Sequence, residues 1–335
     1  MRSTINDIVR ATGYAKSTVS AALNNKPGVG VEAKELILQT AREINYVPNQ
    51  IARSLSSKCN KTIGVIVRDI TNPFYARVCR SIEQVAEENG YFIITYNTDG
   101  RAERLINAAN VFVGQSVSGM IVDVSESEGG SVSAFFDYLK RREVPYVLFG
   151  TKSAFSEIDS VEADDIQGAY QAARYLIEQG HRDICYIGGG EDVVYSKHRL
   201  MGIRQAFDAC GLAWAADMWK LTARTVQEGY EAGKRILSGA RRPTAVIAYN
   251  DLVAVGVIKA YTEQGLQIPA DLSIIGFDNI ETVAFPLTSV DIPEYEMGKT
   301  ATELLIRRIQ NPEDTQVQSV QFEEKLIVRG SVRKL

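Results

Sequence analysis

Thr62-Ile63-Gly64-Val65-Ile66-Val67-Arg68, an amphipathic stretch at Ala76–Glu88, and Phe92-Ile93-Ile94-Thr95-Tyr96-Asn97 together decide the fold. A short β-branched apolar run, a helical period and a second apolar run read as strand, helix and parallel strand. The alternation continues along the chain. Gly119–Val124, Tyr146–Phe149, Ile184–Gly188, Ala245–Tyr249 and Leu272–Phe277 read as strands, and Asp165–Glu178, Lys197–Ala209 and Asp251–Glu263 as helices. The pattern occurs twice, over roughly 62–160 and 161–290, which predicts two similar α/β lobes on doubly wound parallel sheets.

The residues upstream have a different texture. Residues 1–61 carry nine basic and four acidic side chains, a net +5, which leaves −9 on the other 274 of a chain whose total is −4. A basic head on an acidic body is the asymmetry of a nucleic-acid-binding module joined to something else. Thr4-Ile5-Asn6-Asp7 reads as a capping box that opens a first helix, which stops at Thr12-Gly13. A second helix spans about 15–23, with Val19 and Leu23 inward. After the loop Asn24–Gly28, a third runs over about 31–45 with Leu36, Ile37, Ala41 and Ile44 apolar. Two short helices around a glycine-containing turn form a helix-turn-helix, whose second helix presents its N-terminal residues to the major groove.

Bulk properties exclude other classes. The 335 residues imply more than one domain. No apolar run approaches the roughly 20 residues that span a bilayer, and Met1–Asp7 has no apolar leader, so a cytoplasmic protein without membrane contact is expected. Cys59, Cys79, Cys185 and Cys210 are scattered, and His181 and His198 form no ligand pattern, so free thiols and no metal site are expected. Gly188-Gly189-Gly190 follows a strand but lacks the GK[ST] of a phosphate loop, and no Gly-x-Ser-x-Gly occurs. An enzyme or a bound cofactor is therefore not expected. A sugar-binding transport protein is the rival reading, but it calls for an export signal and no basic head.

In doubly wound sheets, ligands sit beyond the carboxyl ends of the strands. That rule selects Asn72, Phe74 and Tyr75 after the first strand, Asp99 after the second and Asp123 at the third. In the second lobe it selects Tyr195, Arg199, Asn250 and Asp278. Carboxylates, amides, an arginine and aromatic rings suit a polyhydroxyl ligand. Asn250 also stands where a helix N-cap belongs, and the sequence leaves both roles open. Trp219 is a further stacking candidate, with an ordinary core position as its alternative.

The chain resembles the LacI/GalR family of repressors. The matching strings are Thr4–Val9, Ala11-Thr12-Gly13, Ser17–Ser20, Leu23-Asn24 and Asn45-Tyr46-Val47-Pro48-Asn49-Gln50-Ile51-Ala52-Arg53-Ser54-Leu55. In the core they are Asn72–Tyr75, Arg199–Gly202, Tyr249-Asn250-Asp251 and Gly276–Asn279. The resemblance implies an all-α headpiece at 1–45, a hinge helix and linker at 46–61, and a periplasmic-binding-protein-like core at 62–335. Within that core it implies an N-lobe of about 62–160 plus 292–322 and a C-lobe of about 161–291. It also implies that Lys16 and Ser17 read bases, that Thr18 and Ser20 touch phosphates, and that Thr4 and Asn24 join the DNA contact. Leu55 would wedge into the minor groove, with Asn49 and Ala52 beside it. A packed linker leucine is the alternative. The expected partners are a pseudo-palindromic operator, a second copy of the chain and a sugar-like effector. Ala15, Ala21 and Gly30 depart from the family's serine, arginine and serine, so the operator sequence is not inferable. Gly150-Thr151 stands where Asp-Arg is common, and Val193 where purine-binding members place an arginine; the latter argues against a purine effector and leaves sugars, sugar acids and sugar phosphates open.

Overall fold

A computed structural model describes residues 3–46, 60–123, 130–150, 157–190, 193–214, 221–240 and 242–335. The hinge candidates Asn49, Ala52 and Leu55, and also Trp219, lie outside these residues. The chain divides into two compact units, 1–60 and 61–335.

In the first unit, α1 (Ile5–Thr12), α2 (Lys16–Leu23) and α3 (Val31–Glu43) close on Ile8, Val19, Ala22, Ile37 and Ala41. The Asp7 carboxylate accepts the backbone N–H and the hydroxyl of Thr4, each at 2.8 Å. That bond anchors the start of α1 as the Thr4–Asp7 spacing predicts. Ala15 and Gly30 offer no side-chain cap, yet α2 and α3 begin directly after them. Val19 N–H donates to the Ala15 carbonyl and Lys34 N–H to that of Gly30, both at 3.0 Å. Leu36 departs from its expected place on the apolar face, being 47% exposed. Ile37 takes the inward position instead, about 100° further round the helix.

The second unit holds two six-stranded sheets. The N-lobe strands are β1 (Thr62–Val67), β2 (Phe92–Asn97), β3 (Gly119–Asp123), β4 (Tyr146–Gly150), β5 (Ser160–Ala163) and β11 (Ser319–Phe322). Their order is β11-β5-β4-β3-β1-β2, all parallel. The helices α4 (Pro73–Glu88), α5 (Ala102–Gly114), α6 (Gly130–Arg141) and α11 (Glu294–Gln310) belong with it. The C-lobe strands are β6 (Ile184–Gly188), β7 (Leu221–Thr222), β8 (Ala245–Ala248), β9 (Ser273–Phe277), β10 (Thr288–Asp291) and β12 (Lys325–Ile327). They run β12-β10-β9-β8-β6-β7, with only β12 antiparallel to its neighbour among the described pairs. Around this sheet lie α7 (Asp165–Glu178), α8 (Val194–Ala209), α9 (Val226–Ser238) and α10 (Asp251–Glu263).

Most strands are buried on both faces, as parallel strands under helices must be. The edge strands β2, β7, β11 and β12 are the exceptions, and in β2 Phe92 is 59% and Ile94 38% exposed. An apolar run alone does not reveal an edge position. Between β5 and α7, between β10 and α11, and between β11 and β12 the chain crosses from one lobe to the other. The C-lobe also takes up the chain end beyond 325. The Ser331 hydroxyl donates to the Ile274 carbonyl at 2.6 Å and accepts from Thr288 N–H at 2.8 Å. Cys79, Cys185 and Cys210 form no disulfide among the described residues. No described helix is long and apolar enough to cross a membrane.

Candidate functional site

A cavity of about 530 Å³ opens between the two lobes, where strand ends and helix N-termini from both meet. That is the size of a small-molecule site. Asn72, Phe74, Tyr75, Asp99, Asp123, Tyr195, Arg199, Asn250 and Asp278, nine residues selected from the sequence, all line it.

Two of the nine also have local structural tasks. Asn72 caps α4 by accepting from Phe74 N–H at 3.0 Å, and Asn250 caps α10 by accepting from Val253 N–H at 2.9 Å. Each spends its side-chain oxygen on the cap, which leaves the amide nitrogen to act elsewhere. The Asn72 nitrogen lies 3.4 Å from Asp278 Oδ2, across the cleft. Arg77 donates to the Asp278 carbonyl at 2.9 Å, and the Tyr195 hydroxyl to Asp123 Oδ1 at 2.8 Å. These bonds join N-lobe residues to C-lobe residues around the cavity.

Asp278 sits at φ +89°, a left-handed conformation that costs a non-glycine residue free energy. The Arg77 bond, together with Asp278 N–H donating to the Val290 carbonyl at 3.0 Å, holds it there. Burial raises its pKa, and the nearby Arg199 opposes the rise. Behind it the carboxylate of Asp251, pushed up to about 7 chiefly by burial, accepts from Ile280 N–H and the Ser289 hydroxyl, both at 2.7 Å. Asp251 therefore shapes the loop that carries Asp278.

Arg199 is 4% exposed and ion-paired with Asp165 at 2.7 Å. It also donates to the Tyr249 carbonyl, and its guanidinium lies 3.9 Å from the Phe277 ring centroid. Two of its five N–H donors are therefore committed inside the C-lobe. Asp99 is the most open member, its side chain 47% exposed and paired with Arg104 and Arg101. In the headpiece, Lys16 and Ser17 are exposed at the first turn of α2, and Thr4 is exposed at the start of α1. Thr18, Ser20 and Asn24 are half-buried, with the Asn24 amide donating to the Ser20 carbonyl at 2.8 Å.

Sequence reasoning missed Arg68, Phe149, Arg224 and Met297, which also line the cavity. Arg68 closes the apolar run 62–68, so the strand-end rule could have selected it. Arg224 and Met297 sit in segments that carry no strand signal.

Glu324 was also missed. It lies in the β11–β12 crossover, 1% exposed, and neither carboxyl oxygen has a hydrogen-bond partner. A Cβ on Gly168 would lie 1.7 Å from its Oε2, so only glycine leaves it room. Burial, then the neighbouring Asp165, push its pKa well above the usual 4.5. Folding thus favours the protonated form, and stability falls as pH rises from the unfolded-state pKa toward the folded one. Glu324 should contribute a loss of about 1.4 kcal/mol per pH unit in that window. Glu324→Gln should flatten this slope, so that its melting temperature gains on the wild type between about pH 5 and about pH 8. Parallel melting curves across that range would show that Glu324 is ionised in the folded protein.

The comparisons with known proteins agree with this architecture. Residues 4–49 match the family model described as bacterial regulatory proteins, lacI family, and residues 173–332 match a periplasmic binding protein-like domain. Catabolite control protein A of Priestia megaterium is 33% identical over 99% of this chain and all of its own. The chain belongs to the LacI/GalR family. The HTH-type transcriptional repressor PurR of Pasteurella multocida is 31% identical, with 99% of each chain covered. A solved LacI family regulator from Enterococcus faecium, with bound ribose, aligns at TM-score 0.72 and 31% identity over 82% of this chain and 99% of its own. The transcriptional regulator CelR in complex with cellobiose aligns at TM-score 0.73 and 26% identity over 98% and 100%. As a LacI/GalR member, the protein is a DNA-binding transcriptional regulator.

Proposed function

We propose that this repressor binds a polyhydroxyl effector, a sugar or sugar derivative, in the cavity between the lobes, and that occupancy sets its affinity for an operator. The observation that carries this reading is the cavity itself. Carboxylates, amides and aromatic rings from both lobes surround it, and hydrogen bonds bridge its two walls. A ligand there changes the relative position of the lobes by replacing or adding to those bridges. Coupling to DNA of about 1–3 kcal/mol is then the usual scale, and it is reciprocal.

On the DNA side, Lys16 and Ser17 read bases, Thr4, Thr18, Ser20 and Asn24 support the docking, and Leu55 wedges between base pairs with Asn49 and Ala52 beside it. The headpiece is assigned to 1–45, the hinge to 46–61 and the core to 62–335. A homodimer places two headpieces on a pseudo-palindrome.

The ribose and cellobiose bound to two structural neighbours support a sugar. The likeness to PurR favours a purine as the second reading. One screen separates them: thermal shift of the full chain with neutral sugars, sugar acids, sugar phosphates and purine bases, followed by operator titration with each hit. Asp278→Asn suits the positive φ and should weaken the hit about tenfold or more. If no compound raises the melting temperature, or if Asp278→Asn titrates as the wild type does, the cavity is not the effector site.

A further inference from the structure

Two buried polar atoms on the cavity wall have no hydrogen-bond partner: Asp123 Oδ2 and Arg68 Nε. Asp123 is only 5% exposed, so the missing bond is not made up by bulk water. Both residues leave neighbouring parallel strands, β1 and β3, where Ile66 stands in register with Val122. One ring joins them. The Tyr195 hydroxyl holds Asp123 Oδ1 at 2.8 Å, and the Arg68 guanidinium carbon lies 5.9 Å from the centroid of the same ring. Tyr195 thus occupies one oxygen of Asp123 and leaves the other as a bare acceptor, beside the ring that the Arg68 guanidinium also faces.

We propose that Arg68 and Asp123 together read one hydroxyl of the effector and so select an uncharged polyhydroxyl ligand. This rests on the cavity being the effector site. A hydroxyl is the simplest group that accepts and donates at once. Its oxygen accepts from Arg68 Nε–H, and its proton goes to Asp123 Oδ2. A carboxylate or phosphate ester dianion satisfies Arg68 but sets its charge against Asp123. The wider wall reinforces this discrimination. Among the described lining residues, six carboxylates face three guanidiniums. Asp165 already neutralises Arg199, and Arg104 and Arg101 attend Asp99. Asp123 and Asp278 then remain on opposite walls as acceptors for ligand hydroxyls, in a site with no surplus cation for an anionic ligand.

The test uses the full-length protein and calorimetric titration of ribose, cellobiose, ribonate, ribose 5-phosphate and hypoxanthine. A neutral sugar should bind more tightly than its acid or phosphate. Asp123→Asn and Arg68→Met should each weaken it by about ten- to a hundredfold, the range for a hydrogen bond to a charged group. Arg68→Lys keeps the charge but not the Nε donor, and should fail to restore binding. The double variant should lose little more than either single one, because both groups serve one hydroxyl. Among monodeoxy analogues of the sugar, one should bind wild type and variants alike. Melting curves of the ligand-free proteins report folding. Tighter binding of the acid, the phosphate or the purine overturns the proposal. So do additive losses, or variants within about twofold of wild type, the result if only water bridges the two atoms. If Asp278→Asn weakens the ligand while the Arg68 and Asp123 variants do not, the cavity remains the effector site and this assignment alone falls.

Discussion

Arg199→Met should destabilise the core by about 3–5 kcal/mol, the cost of stranding one member of a buried ion pair. The side chains of Arg199 and Asp165 are 5% and 4% exposed, so neither charge is solvated by bulk water. Asp165 already has a raised pKa because it is buried, and Arg199 works against that rise. Without the guanidinium, Asp165 must either stay ionised and unpaired or keep its proton. The deficit should therefore be small in acid and grow as pH rises above the carboxylate range. Urea denaturation midpoints across pH would record this. Replacing both partners, Arg199→Met with Asp165→Leu, should recover much of the loss, because neither member of the pair is then buried without the other. A loss independent of pH, with no recovery in the double variant, would mean that Arg199 acts by packing on Phe277 and Tyr249 instead.

The second large effect comes from one missing carbon. A Cβ added at Gly256 would lie 2.1 Å from the Val226 carbonyl oxygen and 2.5 Å from the Tyr230 nitrogen. Across the same seam, a Cβ on Gly229 would meet the Val253 carbonyl at 2.4 Å. The helices α9 and α10 thus touch backbone to backbone. Alanine is favoured over glycine by about 1 kcal/mol inside a helix. Gly256→Ala should nevertheless be destabilising, by about 3 kcal/mol, because two backbones must part and the packing around them opens. A differential scan of the melting temperature decides it, and a rise would refute the close approach. Function should suffer as well. Thr225 and Glu228 at the start of α9 and Asn250 at the start of α10 line the cavity, so parting the helices moves its C-lobe wall.

Much of the site was legible because short-range rules governed it. The Thr4–Asp7 spacing predicts its own bond, and strand-end positions predict Asn72, Asp123 and Asp278, since a parallel sheet delivers its carboxyl ends to one rim. Asn250 shows the limit of such rules. The sequence offered a helix cap or a ligand contact, and the structure has the cap bond in a residue that also lines the cavity. Segments with weak apolar signals were not legible. β7 has two residues, and β11 is half exposed, so neither stands out as a run.

From the sequence alone came the basic helical head, the doubled α/β core, the family and the rim on which a ligand would sit. Those features follow from periodicity, capping chemistry and charge, which act over a few residues. Only the tertiary structure decided that Arg199 is spent on Asp165, that Glu324 is buried without a partner, and that β2 is an edge. It alone brought Arg68 and Asp123 to the same tyrosine. Each of these depends on which distant segments become neighbours and how much water they exclude. Burial sets the cost of a charge, and no local pattern of residues records it.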